Sequence, residues 1–396
     1  MGKYEKLREL AVITAKCWNE VNWLRMQQFK KGARIDFAET EKEAYEKHKH
    51  ALRVNAQQVA RKNAEDWRSF SLIREKKEGE LPRWFKPRPP GYWRDEEGKY
   101  KLMIIIRNDR YEVNESERTI YLKDFKLPLR FKGKLKWRGK QGRLEIIHDE
   151  ARRSWYAHIP MEVENEEKVK GNARAGVDLG IVNLVTVYVE DGTWFLFKGG
   201  GVLSQYEYYG KRISRVQKLL ARHRQRTSRR LRLLYDKRGR FLRHALNSMV
   251  RKIMGELIVR GVGEVVVGYP KGIAGNHGNK LTVNFWNYNY TIKRFKEVGV
   301  ELGIRVIDVP EPNTSRDCSL CGDAHEGGRV KRGLFKCPRI GVVINADLNG
   351  ARNISYIPES LGSVSRGQLT ARDRGNGLKT QPVVYRWTNG AGWVNH

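Results

Sequence analysis

Two stretches near the start of the chain, residues 3–30 and about 38–72, show helical periodicity of mostly apolar side chains. The first stripe comprises Leu7, Leu10, Thr14, Cys17, Val21 and Leu24, and the second comprises Leu52, Ala56, Val59, Asn63 and Trp67. Recurrence every three or four residues places such side chains on one face of an α-helix. The pattern predicts two long helices, and it places Cys17 in the core, not in redox chemistry.

The polar face of the second predicted helix carries Arg53, Gln57 and Arg61. Two interpretations of this face remain open. It is either ordinary solvated surface or a groove that contacts a nucleic-acid backbone, and charge alone does not distinguish them.

A loop rich in proline, cations and aromatics, residues 81–93, ends the helical region. Proline and glycine break helices, so this segment is predicted to be an extended, ordered loop. Its candidate nucleic-acid contacts are Trp84, Lys86 and Tyr92.

Short strand-like runs separated by turn and charge clusters follow, up to about residue 165. They cover residues 102–106, 119–122, 144–147 and 155–160, and their spacing predicts a small antiparallel barrel.

Cations alternate through one segment of this region, at Lys132, Lys134, Lys136, Arg138 and Lys140. As a strand, the segment would present them on one face. That face is either a solvated edge guarded by lysine or a nucleic-acid contact, which neighbouring aromatics such as Trp137 favour.

The pattern becomes α/β from about residue 172. A broken apolar strand around Asp178 and a strand over 193–197 precede a long basic helical region, about 205–260, with a predicted break at 236–239. The remaining elements are a strand at 265–267, a helix over about 288–302 and a strand at 305–309. This order suits a ribonuclease-H-like sheet with an insertion before its final helix. The residues after Ile357 are predicted to be loosely ordered.

The formal net charge is +32, from 77 lysines and arginines against 45 acidic residues, which is typical of a protein that binds a polyanion. A membrane is the rival partner, but no apolar run approaches the roughly 18 residues of a spanning helix, and no signal peptide is recognisable. Four cysteines in 396 residues do not form a disulfide framework. We therefore expect a cytoplasmic, nucleoid-associated protein without membrane contact.

Asp178 and Asp347 are the candidate chemical groups. Asp178 interrupts an apolar strand, and an ionised carboxylate there is costly unless a cation meets it. In so basic a chain, a divalent metal beside carboxylates and nucleic acid suggests phosphodiester hydrolysis. The simpler alternative makes Asp178 a turn residue and Asp347 a helix N-cap.

Three motifs in this order resemble the TnpB (OrfB) family, transposon-encoded RNA-guided DNA nucleases related to type V CRISPR effectors. Residues 176–180 (Gly-Val-Asp-Leu-Gly) are similar to its first RuvC motif, residues 313–322 to its zinc-ribbon entry, and residues 346–354 to its third RuvC motif. The resemblance covers most of the chain. Nothing in the sequence resembles a DDE or tyrosine recombinase, so we do not expect it to catalyse transposition itself.

The resemblance implies a multidomain α+β protein. Its expected parts are a helical recognition region (1–80), a β-barrel wedge region (81–170), a RuvC-like, ribonuclease-H-like α/β domain with basic helices (171–312), a zinc-ribbon-like insertion (313–341), the last RuvC motif (342–357) and a flexible basic tail (358–396).

The chain departs from the family at the second RuvC motif, where Gly268 occupies the usual glutamate position. Glu264 lies four residues earlier on the same strand, about 13 Å back, which is too far for metals about 4 Å apart. Glu311 follows the next strand, and some TnpB and Fanzor proteins carry a glutamate relocated in this way. We therefore predict a site of Asp178, Glu311 and Asp347, the alternative being that Glu311 is a surface loop residue.

A second departure concerns zinc. Cys318, Cys321 and Cys337 have the spacing of a four-cysteine site, but Ile340 stands at the fourth position. Either His325 supplies the fourth ligand, or the element is metal-free and held by packing around Phe335, Ile340 and Val342.

By resemblance, guide RNA would pair with target DNA beside a short adjacent motif while the protein grips the backbones. The three carboxylates would bind two Mg²⁺ ions, one activating water and the other stabilising the leaving oxyanion, to cut both strands in turn. Basic helical residues would channel single-stranded DNA; these are Arg222, Arg226 and Arg229. The alternatives are a nuclease-dead RNA-guided repressor, suggested by Gly268, and an unguided RNA-binding protein. The oligomeric state remains open.

Overall fold

The computed structural model describes residues 2–76, 85–94, 99–136, 138–162, 169, 171–269, 281, 285–310, 317–325, 327–331, 333–357 and 381–396. The chain divides into two compact units, Met1–Glu164 and Asn165–His396.

Three helices open the first unit: α1 (Lys3–Lys30), α2 (Phe37–Leu52) and α3 (Asn55–Arg74). The single helix predicted over about 38–72 was therefore wrong, because the chain turns at Arg53, whose φ is 55°. Asn55 stabilises the turn, since its Nδ2 donates to the carbonyl of Leu52 and its Oδ1 accepts from the N–H of Arg107. Neither glycine nor proline marks this break, so the helical spacing of the apolar residues continues across it and gives no sign of the turn.

The first apolar stripe is buried as predicted, with Cys17 in the core beside Trp18 and Val21. One buried residue was not anticipated. Arg25 on the same helix is fully buried, and its guanidinium donates to the carbonyl of Ala60 and to Oδ1 of Asn63 at 2.8 and 2.9 Å.

Eight short strands follow among the described residues of this unit: β1 (Met103–Ile106), β2 (Tyr111–Asn114), β3 (Thr119–Leu122), β4 (Leu127–Arg130), β5 (Lys140–Gln141), β6 (Leu144–Asp149), β7 (Ser154–His158) and β8 (Met161–Glu162). In the described part of the unit they pair as three separate antiparallel sheets, β1-β6-β7, β2-β3-β4 and β5-β8, not as one closed barrel. Alternate residues of the two larger sheets pack with α1 in a shared core.

The predicted lysine-bearing strand was wrong for most of its length. Only Lys140 lies in a strand, whereas Lys132, Lys134 and Lys136 lie in irregular, exposed backbone. Gly133 has a φ of 119°, a left-handed conformation that interrupts an extended strand.

The second unit is built on a seven-stranded sheet. In chain order its strands are β9 (Ala173–Leu179), β10 (Asn183–Val189), β11 (Trp194–Lys198), β12 (Val262–Tyr269), β13 (Arg305–Pro310), β17 (Val383–Thr388) and β18 (Gly392–Asn395). Their order across the sheet is β13-β12-β9-β10-β11-β17-β18. Strand β10 pairs antiparallel with both β9 and β11, whereas β12 and β13 run parallel to β9.

Helices cover both faces of this sheet, which explains why β10 is buried at every position. On one face, α5 (Arg229–Val259) and α6 (Tyr288–Leu302) pack on residues that include Val265 and Val267. On the other face lies α7 (Ala346–Ser355), whose Ile354 packs against Val266. A small sheet of β14 (Arg329–Lys331), β15 (Leu334–Lys336) and β16 (Val343–Asn345) precedes α7.

The basic helical region is two helices, as predicted, but the break lies elsewhere. Helix α4 (Gly200–Arg222) ends at His223, and α5 begins after Ser228, whose side chain accepts from the N–H of Leu231. Residues 236–239 lie inside α5, where an Asp236–Arg240 ion pair bridges the predicted break.

The prediction of a flexible tail over 358–396 was wrong for residues 383–395. Strand β17 pairs with β11, and β18 pairs with β17. Aromatic side chains anchor these two strands to the rest of the unit. The ring of Tyr385 stacks on that of Phe197 with their centroids 4.5 Å apart, and the indole N–H of Trp393 donates to the carbonyl of Ala245 at 2.9 Å. Residues 358–380 of the predicted tail lie outside the described residues.

Candidate functional site

Asp178 and Asp347 are brought together by the packing of α7 on β9. Asp178 lies near the carboxyl end of β9, and Asp347 lies in the first turn of α7. Helix and strand approach closely because two positions lack side chains. A Cβ on Gly176 would lie 2.0 Å from the carbonyl oxygen of Ala351, and one on Gly350 would lie 3.0 Å from Oδ2 of Asp178.

The simpler roles considered for the two aspartates are not the observed ones. Asp178 lies within a strand and is not a turn residue. The N-cap of α7 is Asn345, whose side chain accepts from the N–H groups of Asp347 and Leu348. Because Asn345 caps the helix, the Asp347 carboxylate remains available for other contacts.

Two residues that the sequence did not single out contact Asp347. The side-chain amide of Asn183 donates to Oδ2 at 2.6 Å. The Arg329 guanidinium, on β14, lies 3.8 Å from Oδ1. Their sequence positions lie far from Asp347, and only the packing of β10, β14 and α7 brings the three together.

The environment makes ionisation of Asp178 unfavourable. Burial and the neighbouring Asp347 carboxylate raise the pKa of Asp178 to about 7, while Arg329 and the N–H of Leu179 act in the opposite direction. Two carboxylates held in this way form a site that gains from a bound cation.

Gly268, which stands at the position expected by resemblance to hold a glutamate, lies beside Asp178. Val267 on β12 pairs with Val177 on β9, so Gly268 and Asp178 are the next residues along these parallel strands. Glu264 lies back along β12 and forms ion pairs with Arg174 and Arg305, at 2.6 and 3.6 Å.

Glu311 itself lies outside the described residues. Strand β13 ends at Pro310, which pairs with Tyr269 of β12. The carboxyl ends of β9, β12 and β13 therefore lie at one edge of the sheet, and Glu311 is the residue that follows β13 in the sequence.

Four potential metal ligands converge in the second unit. The ligand atoms of Cys318, Cys321, His325 and Cys337 all lie within 4.8 Å of one another. Nε2 of His325 is 3.1 Å from the Sγ of Cys321 and 3.5 Å from that of Cys337. Three sulfurs and one imidazole nitrogen are a donor set that suits tetrahedral zinc.

The metal-free alternative for this element is not supported by its packing. Phe335 is buried as that interpretation requires, but Ile340 and Val342 are 50% and 45% exposed. The residue at the fourth cysteine position is therefore on the surface, and His325 occupies the corresponding place in the cluster.

The remaining predicted contact residues are mostly exposed. In the first unit, Arg53, Lys86, Tyr92, Lys132, Lys134 and Lys136 are exposed, Arg61 forms an ion pair with Glu41, and Gln57 is half-buried. Trp84 lies outside the described residues. In the second unit, Arg222, Arg226 and Arg229 are exposed around the α4–α5 connection. Contact of these residues with nucleic acid stays a prediction.

Among the described residues, no helix has the length and apolar character needed to cross a membrane.

Comparison with known proteins identifies the family. A family model named OrfB_IS605 and described as "Probable transposase" matches residues 158–274, and the Cas12f1-like TNB domain matches residues 288–354. CRISPR-associated endodeoxyribonuclease Cas12f1 of Sulfoacidibacillus thermotolerans is 28% identical over 221 residues, which is 53% of this chain and 52% of that protein.

The fold and a longer alignment agree with these matches. A cryo-EM structure of a Cas12f1–sgRNA–target DNA complex is similar with a TM-score of 0.57 at 16% identity, covering 89% of this chain and 82% of that chain. TnpB-like protein ORF457 of Acidianus two-tailed virus is 40% identical over 382 residues, which is 88% of this chain and 82% of ORF457. The chain, a mixed α/β protein with the fold of Cas12f effectors, therefore belongs to the TnpB-like family.

Proposed function

We propose that this chain is an RNA-guided DNA endonuclease of transposon origin, which binds a guide RNA from the element end and cleaves target DNA beside a short adjacent motif. The observation that carries the proposal is the pairing of Asp178 with Asp347. Two carboxylates from distant parts of the sequence meet at the edge of a sheet, and two glycines permit the contact.

The strand order supports a RuvC-like, ribonuclease-H-like domain. Such a sheet has three antiparallel strands followed by two strands parallel to the first. Strands β9 to β13 have this arrangement, and β17 and β18 extend it beyond β11.

Asp178 and Asp347, with Glu311, are the residues that would hold Mg²⁺. Their oxygen donors are the ligand type that this hard cation prefers. The chemistry that bound Mg²⁺ supplies to such a site is a lowered pKa of water and stabilisation of charge on the leaving oxygen.

Two neighbouring residues position the Asp347 carboxylate and offset its charge. The amide of Asn183 orients Asp347 through Oδ2, and Arg329 lies on the side of Oδ1. Arg329 offsets part of the repulsion between the aspartates, and we infer that it turns towards a DNA phosphate when a cation joins the carboxylates.

Nucleic-acid partners fit the charge of the chain and the names of its relatives. Cas12f1 is named an endodeoxyribonuclease, and the similar solved structure is a complex with sgRNA and target DNA. We propose the same partners here, contacted by the exposed cations of the first unit and of the α4–α5 connection.

We further propose that Cys318, Cys321, His325 and Cys337 bind one zinc ion. His325→Ala is expected to weaken zinc binding by more than about tenfold, because it removes a direct ligand. Chelator-displacement titration of the purified chain measures this, with Cys17→Ser as the matched control, since Cys17 is buried but far from the cluster in sequence and lies in the first unit. Equal retention of zinc by the two variants would show that His325 is not a ligand.

The function is tested by co-expressing the chain with the RNA that flanks its gene. The proposal expects one discrete RNA to copurify and the complex to linearise plasmids that carry the guide-matched sequence, only with Mg²⁺ present. Heterogeneous RNA without guided cleavage would instead favour an unguided RNA-binding protein.

A nuclease-dead RNA-guided repressor is the second candidate function, and Gly268 is the observation that favours it. The glycine lies beside Asp178, where a third carboxylate would complete the site. Guided binding without any cleavage would support this candidate.

A further inference from the structure

Two asparagines of α7 join that helix to the backbone around Cys318. The Nδ2 groups of Asn349 and Asn353 both donate to the carbonyl of Asp317, at 2.8 and 2.7 Å. Oδ1 of Asn349 accepts from the N–H of Ser319 at 2.8 Å. Asp317 and Ser319 flank Cys318, so three hydrogen bonds connect the helix that carries Asp347 to a ligand of the four-residue cluster.

One of these hydrogen bonds is fully buried and the other two are partly buried, which favours a stiff connection. Asn349 is fully buried, and Asn353 and Ser319 are nearly so. A polar group in such a place is costly when its partner moves away, because water does not replace the lost hydrogen bond. The backbone at Cys318 and helix α7 are therefore expected to move together.

A second connection links α7 to the cysteine–histidine element, defined here as the described part of residues 317–345. Arg329 on β14 pairs with Phe335 on β15, and the ring of Phe335 is buried with the cysteines. The ring packs closely on Gly328, where a Cβ would lie 2.8 Å away. The position of Arg329, and thus its 3.8 Å contact with Asp347, depends on the same core as the cluster.

We propose that Asn349 and Asn353 are positioning residues that couple ion binding at the Cys318–Cys321–His325–Cys337 cluster to the placement of Asp347. The role of Asp347 rests on the proposed function, whereas the coupling itself does not. A coupling between two sites is reciprocal, so its loss must also weaken ion binding at the cluster. This gives the proposal a test that does not depend on nuclease activity.

The first test measures Co²⁺ affinity of the full chain through the thiolate-to-metal absorption band. Asn349→Ala/Asn353→Ala is expected to bind Co²⁺ about tenfold more weakly than wild type, within the range usual for coupled sites. The matched control is Asn287→Ala, which removes the N-cap hydrogen bond of α6 and leaves the element untouched. It is expected to bind Co²⁺ as wild type does.

The second test measures amide hydrogen exchange of residues 346–355. In wild type, removal of zinc by a chelator is expected to speed exchange in α7, and this difference should disappear in the double variant. Asn353→Ala alone removes one of the two donors to the Asp317 carbonyl and leaves both hydrogen bonds of Asn349, so an intermediate Co²⁺ affinity is expected.

The proposal is overturned if the double variant binds Co²⁺ as tightly as Asn287→Ala does. It is also overturned if the rate of amide hydrogen exchange in α7 of wild type is the same with and without the chelator. Should the double variant fail to fold, the wild-type exchange measurement and the milder Asn353→Ala variant still decide the question. If wild type never cleaves DNA yet shows both couplings, the proposed function fails and the coupling stands.

Discussion

Replacing Gly176 by alanine is expected to destabilise the second unit by roughly 3 kcal/mol and to reduce cleavage by about a hundredfold or more. The new methyl group would lie 2.0 Å from the Ala351 carbonyl oxygen and 2.6 Å from the backbone nitrogen of Ser355. Both obstacles are backbone atoms, so relief requires α7 to move away from β9. Asp347 moves with the helix, and a displacement of about 1 Å is enough to disrupt a catalytic arrangement.

Thermal unfolding and guided plasmid cleavage measure the two effects. Gly255→Ala in α5 is the matched control, because a Cβ there meets nothing within 4 Å. That substitution is expected to be neutral or to stabilise the helix by up to about 1 kcal/mol. A Gly176→Ala protein that melts and cleaves like wild type would refute the close packing of α7 on β9.

Asp178→Asn is expected to abolish cleavage, by at least about a thousandfold, and yet to stabilise the metal-free protein at pH 8. The loss of activity follows because the amide removes a negative ligand from a site whose cation contributes several kcal/mol. The gain in stability follows because the folded chain holds the Asp178 carboxyl at a pKa of about 7, well above its ordinary value of 3.8. The folded state therefore retains a proton that the unfolded state loses.

The difference between the folded and unfolded pKa of Asp178 determines how the free energy of unfolding changes with pH. The stability of metal-free wild type falls as the pH rises from about 4 to about 7, whereas Asp178→Asn lacks this contribution. Above pH 7 the variant is expected to be more stable by on the order of 2 kcal/mol, after allowance for partial solvent screening of the half-buried carboxyl. Adding Mg²⁺ should raise the melting temperature of wild type and not of the variant.

Denaturation at several pH values, with and without Mg²⁺, tests this trade-off. Asp236→Asn in α5 makes the same chemical change at an ion pair remote in sequence, and its stability is expected to stay within about 0.5 kcal/mol of wild type. If Asp178→Asn were less stable than wild type at pH 8 without metal, Asp178 would not be a destabilised carboxylate.

Local sequence was sufficient to single out Asp178 and Asp347 as candidate groups, because each lies in a distinctive pattern of neighbouring residues. Asp178 interrupts an apolar strand, and Gly176 and Gly350, which have no side chains, accompany the two motifs. The strands around Val266 and Val306 were predicted from their apolar runs, whereas their parallel pairing was expected only from the family resemblance. These features depend on residues close together in the chain, which is where periodicity is informative.

Residues that reach the site through tertiary packing were missed for the opposite reason. Asn183 and Arg329 contact Asp347 only because β10 and β14 lie beside α7. An asparagine after a turn and an arginine in a basic chain carry no signal of their own. The same holds for Asn349 and Asn353, whose partners are backbone atoms of another segment.

Breaks and chain ends were predicted least well. Gly239 suggested an interruption, yet α5 continues through it and the true connection ends at the Ser228 cap. The tail composition suggested disorder, but Tyr385 and Trp393 bury enough aromatic surface to add two strands to the sheet. In both cases tertiary packing outweighed local composition.

The measurement that tests the central claim most directly is guided plasmid cleavage by four proteins purified with the same RNA: wild type, Asp178→Ala, Glu311→Ala and Glu264→Ala. We predict that wild type cuts, that Asp178→Ala and Glu311→Ala do not, and that Glu264→Ala does. Glu264 is expected to be dispensable because its carboxylate forms ion pairs with Arg174 and Arg305. Undiminished cleavage by Asp178→Ala, or guided binding by wild type without any cleavage, would contradict the account.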